Sequence, residues 1–325
     1  MADVTEPDLA WLPYSIPMRT RFRGITVREG LLARGETGWI ELSPFWDYDA
    51  AASRPWYDAA ATDAVRVWPT PVRDAVPVNC TVPAVGPEQA QAIVRGGHGC
   101  RTAKVKVAEP GQTLADDEAR VAAVRDALGP DGAVRVDANG AWSVDEAFEA
   151  LAVLDRAAGG LEYAEQPCRT VEELATLRRR TPVPIAADES IRRAEDPYRV
   201  AELGAADIAV LKVQPLGGVA ACLEIAERIG LPVVVSSALE TSVGIAAGVA
   251  LAAALPELPY ACGLGTVSLL EHDVVDAPLV PRGGVLPVVR PEPSAAFLAT
   301  APDPDLVARW AARLEEIRTV RAVAR

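Results

Sequence analysis

From about residue 76 the apolar positions fall into a repeating two-part pattern: a short β-branched run, then a longer alanine-rich stretch with apolar residues at helical spacing. The runs "VNCTVPA", "TAKVKVA", "AVRVDA", "LEYAEQP", "PIAADES", "DIAVLKV", "LPVVVSSA" and "PYACGLG" predict eight strands. Stretches such as "LADDEARVAAVRDAL" and "SVDEAFEALAVLDRAA" predict the helices between them. Eight successive βα units predict an α/β fold of the (β/α)8, TIM-like barrel type, in which the C-terminal segment can replace the last helix. An open doubly wound sheet competes with it, but no strand-to-helix turn carries the G-x-G-x-x-G loop of such sheets.

Residues 1–75 follow a different pattern, with "RGITVREGLLARGETGWIELSP" reading as a β-meander with glycine turns ahead of a short helical stretch. After about residue 265 the pattern changes again, through the Pro/Gly-rich "VPRGGVLPVVRPEP" to an amphipathic helix around "DPDLVARWAARLEEIRTV". The expected organisation is a barrel domain over residues 76–265, with residues 1–75 and 266–325 joined in an α+β capping domain over its mouth.

Composition narrows the class. A net charge of −13 argues against a nucleic-acid or membrane-surface partner and by itself says nothing about a small-molecule substrate. Five scattered cysteines without a C-x-x-C pair fit reduced thiols, not a disulfide framework or a zinc site. The N-terminal stretch lacks the basic start and apolar run of a leader, and "GIAAGVALAAAL" is too short to span a membrane and reads as a core helix. A cytoplasmic protein is expected; oligomeric state is not readable from the sequence.

Of the 32 basic residues only three are lysine: Lys104, Lys106 and Lys212. Where any cation would serve, this chain uses arginine, so the lysines call for a reason. A lysine pKa falls readily on burial or beside other cations, which lets the amine act as a base. Lys104 and Lys106 are two apart on a strand and share one face, either a solvated face or one where each ammonium depresses the other's pKa. Barrel chemistry sits at the C-terminal strand ends. There the third run ends in Asp137, the fourth in Glu165, the fifth in Asp188 followed by Glu189, and the sixth in Lys212. Three carboxylates on adjacent strands repel unless a cation holds them, and an oxygen-only set suits Mg²⁺, with Mn²⁺ possible. Any one of them could instead be a helix N-cap, but caps do not explain a glutamate flanked by lysines. Lys106 and Lys212, from opposite sides of the barrel, would face each other across the metal. That arrangement suits removal of a proton beside a carboxylate, with the metal stabilising the enediolate, a lysine taking the proton and Lys104 tuning Lys106. Arg135, two before Asp137, is expected to pair with a ligand carboxylate or a substrate oxygen, or to form a structural ion pair.

K-x-K on the second predicted strand, D-x-N on the third, E-Q-P on the fourth, D-E-S on the fifth and a lysine on the sixth resemble the muconate-lactonising subgroup of the enolase superfamily. The match covers nearly the whole chain. Such enzymes use a lysine or histidine base with Mg²⁺ to stabilise an enediolate. Within the subgroup the resemblance allows muconate cycloisomerisation, N-acylamino acid racemisation, dipeptide epimerisation and dehydration to o-succinylbenzoate. Dipeptide epimerases carry D-x-D at the eighth strand end, where this chain reads "CGLGT". "VVVSSALETSVG", "ACGLG" and "IPMRTRFRGITVREG" are similar to the o-succinylbenzoate synthases. That resemblance implies a carbon–oxygen lyase of menaquinone biosynthesis, removing water from 2-succinyl-6-hydroxy-2,4-cyclohexadiene-1-carboxylate by syn-elimination. It implies metal ligation by Asp137, Glu165 and Asp188, proton transfer by Lys106, an opposing cation at Lys212, and a carboxylate contact from Lys104. Asn139 and Glu189 would orient the ligands. Ser236 and Gly263, with Leu264 nearby, would contact the succinyl tail, and loops 14–24 and 43–49 would close over the substrate with Arg19 as a contact. Taken alone, Ser236 reads equally as a helix cap and Arg19 as surface charge. An N-succinylamino acid racemase or a muconate-type cycloisomerase could use the same site. A non-catalytic barrel acting as a binding protein is the alternative from another class, against which the retained lysines and complete ligand set argue.

Overall fold

The computed structural model describes residues 9–193 and 197–320. The first eight residues, part of the stretch read as lacking a leader, lie outside the described residues. Strands β1 (Leu12–Phe22), β2 (Ile25–Arg34) and β3 (Trp39–Leu42) form an antiparallel meander. Phe22 pairs with Ile25 across a two-residue turn in which Arg23 (φ 51°) and Gly24 (φ 78°) are both left-handed. Such turns match the right-handed twist of a hairpin. Helix α1 (Ala50–Val65) starts at Asp49, whose side chain accepts from the Ala52 amide, and packs against β3. Buried Trp56, Leu31, Leu42 and Tyr14 form the centre of this layer.

Seven parallel strands then build a curled sheet: β5 (Cys80–Val82), β6 (Thr102–Lys106), β7 (Ala133–Asp137), β8 (Tyr163–Glu165), β9 (Ile185–Ala187), β10 (Ile208–Leu211) and β11 (Val233–Val235). Ahead of them, β4 (Ala75–Pro77) pairs antiparallel with β12 (Val285–Pro287). The eighth predicted strand, "PYACGLG", closes the barrel through two single-residue parallel bridges, Cys262 to Val78 and Gly263 to Ser236. It does not extend into a full strand. Gly263 lies so close to its neighbour that a Cβ there would meet Ser236 Oγ at 2.6 Å. Helices α3 (Leu114–Leu128), α4 (Val144–Ala158) and α5 (Val171–Arg178) begin with reciprocal capping boxes, from Thr113, Ser143 and Thr170 respectively. Inside the barrel Tyr163, Ala186, Ile208, Val210 and Val234 form a small apolar plug.

The C-terminal tail does not belong wholly to the cap. Val267, Leu279 and Leu286 pack in the barrel's apolar cluster, Leu286 from β12, which pairs with β4. Helix α11 (Pro304–Thr319) returns to the cap, burying Trp310, Leu314 and Ile317.

Helix α9 (Ser242–Ala254) lies between barrel and cap and is buried on all sides through Ala253, so its sequence shows no polar face. Small residues permit the approach: a Cβ on Gly244 would meet Glu240 Cβ at 2.6 Å and Glu41 Oε2 at 2.8 Å. Glu41, on β3, caps this helix from the other domain. Its carboxylate accepts from the Thr241 and Gly244 amides at 3.1 Å each, from Thr241 Oγ1 at 2.5 Å, and from Tyr14 Oη and Ser43 Oγ at 2.7 Å each. Burial, and then the nearby Glu240 carboxylate, push the Glu41 pKa from 4.5 up to about 7. A carboxyl raised on folding keeps its proton longer in the native state, so native stability falls as pH rises between those values. We expect the metal-free protein to lose on the order of 2–3 kcal/mol between pH ~5 and ~8 through this residue. Urea midpoints across that range should show a shallower slope for Glu41→Gln; equal slopes would mean that Glu41 is ionised throughout.

Candidate active site

The register of the parallel sheet brings the expected residues to one rim. Lys106 on β6 stands opposite Asp137 on β7, and Asp137 opposite Glu165 on β8. Asp188 follows β9, and Lys212 follows β10. Several chain bends at this rim are left-handed in non-glycine residues: Ala108 at φ 58°, Asn139 at 48°, Gln166 at 38° and Leu239 at 65°. Such conformations persist only where the surroundings hold them. At Gln166 the hold is visible. Its Oε1 accepts from the Asp188 and Ser190 amides at 3.0 and 3.1 Å, so the E-Q-P motif fixes the D-E-S turn on the next strand.

Every one of the three carboxylates meets a lysine. Lys104 Nζ lies 2.9 Å from Asp137 Oδ2 and 2.8 Å from Glu165 Oε1; Lys106 Nζ lies 2.6 Å from the same Asp137 oxygen; Lys212 Nζ lies 2.5 Å from Asp188 Oδ2. Burial alone would raise the Asp137 carboxyl, but the Lys104 and Lys106 ammoniums outweigh it and hold it well below the usual range. At Asp188, Arg192 and Lys212 likewise overcome burial and bring the carboxyl down to about 2. Glu165 moves the other way, raised by burial and by the Asp137 charge against the opposing pull of Lys104. Lys104 is disfavoured as a cation by burial, yet Asp137 and Glu165 together hold its pKa well above the ordinary value. Its position between two carboxylates is that of a buried counter-ion, and the expected depression of the Lys104 pKa yields to these two carboxylates. Lys106 is the more open of the pair, with 16% of its side chain exposed against 8%.

Around the rim, Asn139 Oδ1 accepts from Lys106 Nζ at 2.7 Å, its amide N–H donates to Asp137 Oδ1 at 3.1 Å, and its Nδ2 donates to Glu189 Oε1 at 3.2 Å. Glu189 Oε2 is buried without a partner. Arg135 does not join this group. It pairs in register with Lys104, and the two cations diverge: Lys104 reaches up to the carboxylates, whereas Arg135 turns down to Glu162, the Ala261 carbonyl and the Tyr163 ring. Leu264 follows Gly263, and its side chain is buried against Gly248 of α9. Arg19 is exposed and donates to the Glu271 carbonyl at 3.0 Å. On β1 it alternates with buried Met18, and the part of this hairpin that lines the cavity comes after it, at residues 20–24.

A cavity of about 450 Å³ opens above the rim. Lys104, Lys106, Asn139, Glu189, Lys212, Ser236 and Gly263 line it from the barrel; Phe22, Arg23, Phe45 and Tyr48 line it from the cap. The Phe22 ring centroid stands 5.5 Å from Lys106 Nζ. Sequence reading missed Arg192, whose Nε donates to Asp188 Oδ1 at 2.9 Å and whose Nη1 donates to Tyr48 Oη at 2.5 Å, tying a rim carboxylate to the cap. The signal available was its place four residues after Asp188, one helical turn on. Phe22, Phe45 and Tyr48 carried no such signal, since apolar side chains on cap loops look like core.

Among the described residues no three His, Cys, Asp or Glu side chains stand in a ready coordinating arrangement, because each carboxylate is turned toward an ammonium. The donor set itself fits a hard divalent cation: three buried carboxylates on adjacent strand ends, oxygen-only, with cations already balancing their charge. Removing Lys104 while keeping the carboxylates should expose this balance. We expect Lys104→Met to cost about 3–5 kcal/mol at neutral pH in chelator-containing buffer, the usual size for one partner lost from a buried pair. The cost should shrink as acid protonates the carboxylates. Urea denaturation reads it, and an unchanged midpoint would show that Lys104 does not balance the cluster.

Comparison with known proteins accords with this geometry. Residues 14–64 match the family described as Enolase N-terminal domain-like, and residues 87–293 that described as Enolase C-terminal domain-like. The o-succinylbenzoate synthase of Thermobifida fusca (strain YX) is 64% identical over 306 residues, covering 94% of this chain and 95% of that protein. That of Mycolicibacterium smegmatis is 56% identical over 296 residues, covering 91% of each. Among solved structures, muconate lactonizing enzyme from Pseudomonas putida superposes with a TM-score of 0.71 at 22% identity, over 93% of this chain and 98% of that one. The L-Ala-D/L-Glu epimerase from Bacillus subtilis gives 0.73 at 21%, over 88% and 96%; at such identities the likeness shows the fold alone. The chain belongs to the o-succinylbenzoate synthase family of the enolase superfamily, with that superfamily's capped barrel.

Proposed function

We propose that this protein is an o-succinylbenzoate synthase, a dehydratase that removes water from 2-succinyl-6-hydroxy-2,4-cyclohexadiene-1-carboxylate in the cytoplasm. The observation that carries the reading is the pair Lys106 and Lys212, which reach a carboxylate cluster from separate strands and line one cavity. Family membership at 64% identity supplies the substrate. The five free cysteines are all buried, and among the described residues no helix is long and apolar enough to cross a membrane.

Asp137, Glu165 and Asp188 would hold a divalent cation, Mg²⁺ before Mn²⁺. When bound, the ion draws electron density onto the ring carboxylate and makes the adjacent C–H more acidic. Lys106, as the neutral amine, takes that proton. The C–H electron pair moves into the ring, the C–O bond at the hydroxyl-bearing carbon breaks, and the Lys106 ammonium returns a proton to the departing hydroxide on the same face. Water and an aromatic ring result. Lys212 stays cationic on the other face and opposes the charge that develops between the two bond cleavages. Asn139 orients Lys106 through its 2.7 Å hydrogen bond, and Phe22 keeps water from the amine. Ser236 and Gly263, which line the same cavity, would receive the succinyl substituent.

Loss of the diene's ultraviolet absorbance tests the reading. With Mg²⁺, wild-type protein should turn the precursor over, and Lys106→Ala should lower kcat about 10³-fold or more while the fold is retained. Chelation should abolish turnover, and Mg²⁺ or Mn²⁺ should restore it. An intact, metal-loaded protein that leaves the diene untouched but racemises N-succinylamino acids would replace the dehydratase reading.

A further inference from the structure

One cap residue outside the cavity bears on both of its walls. Arg28, on β2, is 2% exposed and does not line the cavity. Its Nε donates to the Leu239 carbonyl at 3.0 Å and its Nη2 to the Ala238 carbonyl at 3.2 Å and to the Ser43 carbonyl. Its Nη1 donates to the Glu29 carbonyl at 2.8 Å, and its guanidinium carbon lies 4.5 Å from the Phe45 ring centroid. Phe45 is part of the cap wall of the cavity, and residues 236–239 are part of its barrel wall. Leu239 is held at φ 65°, an unfavourable conformation for leucine. Within the same loop Glu240 accepts the Ala238 amide at 2.7 Å, and from the cap Glu41 accepts the Thr241 amide. The loop's carbonyls are thus pinned by a cap arginine and its amides by two buried carboxylates.

We propose that Arg28 is a positioning residue that sets the distance between Phe45 and the loop at residues 236–239, and thereby the selectivity for the substrate's long substituent. The inference rests on the dehydratase reading for the identity of that substituent, the succinyl chain. Arg28 has no hydrogen bond to Lys106, Lys212, Asp137, Glu165 or Asp188, so its action falls on the part of the ligand remote from the carboxylate cluster. A lysine cannot replace it, because the four carbonyls lie in directions that require the fixed fork of a guanidinium. The loop it holds leads directly into the N-terminus of α9, so release of the carbonyls would let Leu239 leave the left-handed region and carry the wall with it.

The test uses the full chain loaded with Mg²⁺, as wild type, Arg28→Met and Arg28→Lys. The lysine variant keeps the buried charge and the test alive should the methionine variant not fold. Amide hydrogen exchange at residues 236–244 should accelerate about 10-fold or more in the variants, with residues 102–107 and 163–166 unchanged. Calorimetric affinity for o-succinylbenzoate should fall about 10-fold while that for benzoate stays within about 3-fold, and KM for the precursor should rise more than kcat falls. Unchanged exchange in the loop, or an equal loss for both ligands, would overturn the proposal and leave Arg28 a structural residue. A wild-type protein that does not dehydrate the precursor would overturn the proposed function instead, and exchange at residues 236–244 would then decide for or against the clamp.

Discussion

Repulsion among three buried carboxylates at one end of a barrel is the constraint around which this molecule is arranged. Asp137, Glu165 and Asp188 are each at most 1% exposed, and nothing in an apolar interior tolerates three such anions without cations in contact. Lys104, Lys106, Lys212 and Arg192 supply them. The same contacts prepare a chemical site. They place two amines at the edge of the cluster and hold Asp137 low, while burial and the Asp137 charge raise Glu165 against the pull of Lys104. The polar side chains around the rim, Asn139, Gln166 and Glu189, then serve to hold the strand ends in backbone conformations that would otherwise relax.

The second organising feature is helix α9. A helix with no polar face can exist only where both sides are covered, and here the barrel covers one side and the cap the other. Its N-terminus is capped from the opposite domain by Glu41, so the orphan amides of the helix and the closure of the cap are satisfied by one carboxylate. This couples the cap to the loop after β11, which is also a wall of the cavity. Cap position and cavity shape are therefore one property of the structure.

The barrel was legible along the chain because its strands are buried on both faces and its helices on one, a contrast that repeats with each βα unit. Helices α3 and α4 matched the reading closely, since capping boxes mark their starts. The eighth strand was overread: "PYACGLG" has the composition of a strand but contributes only two bridges. The tail reads as one piece along the chain, yet β12 pairs with β4 against the barrel's apolar cluster while α11 packs on the cap. Pairing partners two hundred residues apart leave no local trace.

What the sequence determined by itself is the set of groups at the rim. Strand ends fall at fixed points of a repeating unit, and side chains alternate strictly along a strand, so Lys106, Asp137, Glu165, Asp188 and Lys212 share a rim whatever the loops do. Direction and partner were decided only in three dimensions. Arg135 lies on the same face as Asp137 but turns to Glu162 because Lys104, its register neighbour, already fills the space between the carboxylates. Leu264 turns to Gly248 and Arg19 to Glu271 for similar reasons, each following the surface that tertiary packing presented. Arg28 carries no sequence mark at all. Its partners are backbone carbonyls, which every residue possesses, and only the folded chain brings Glu29, Ser43, Ala238 and Leu239 close enough for one guanidinium to bind all four.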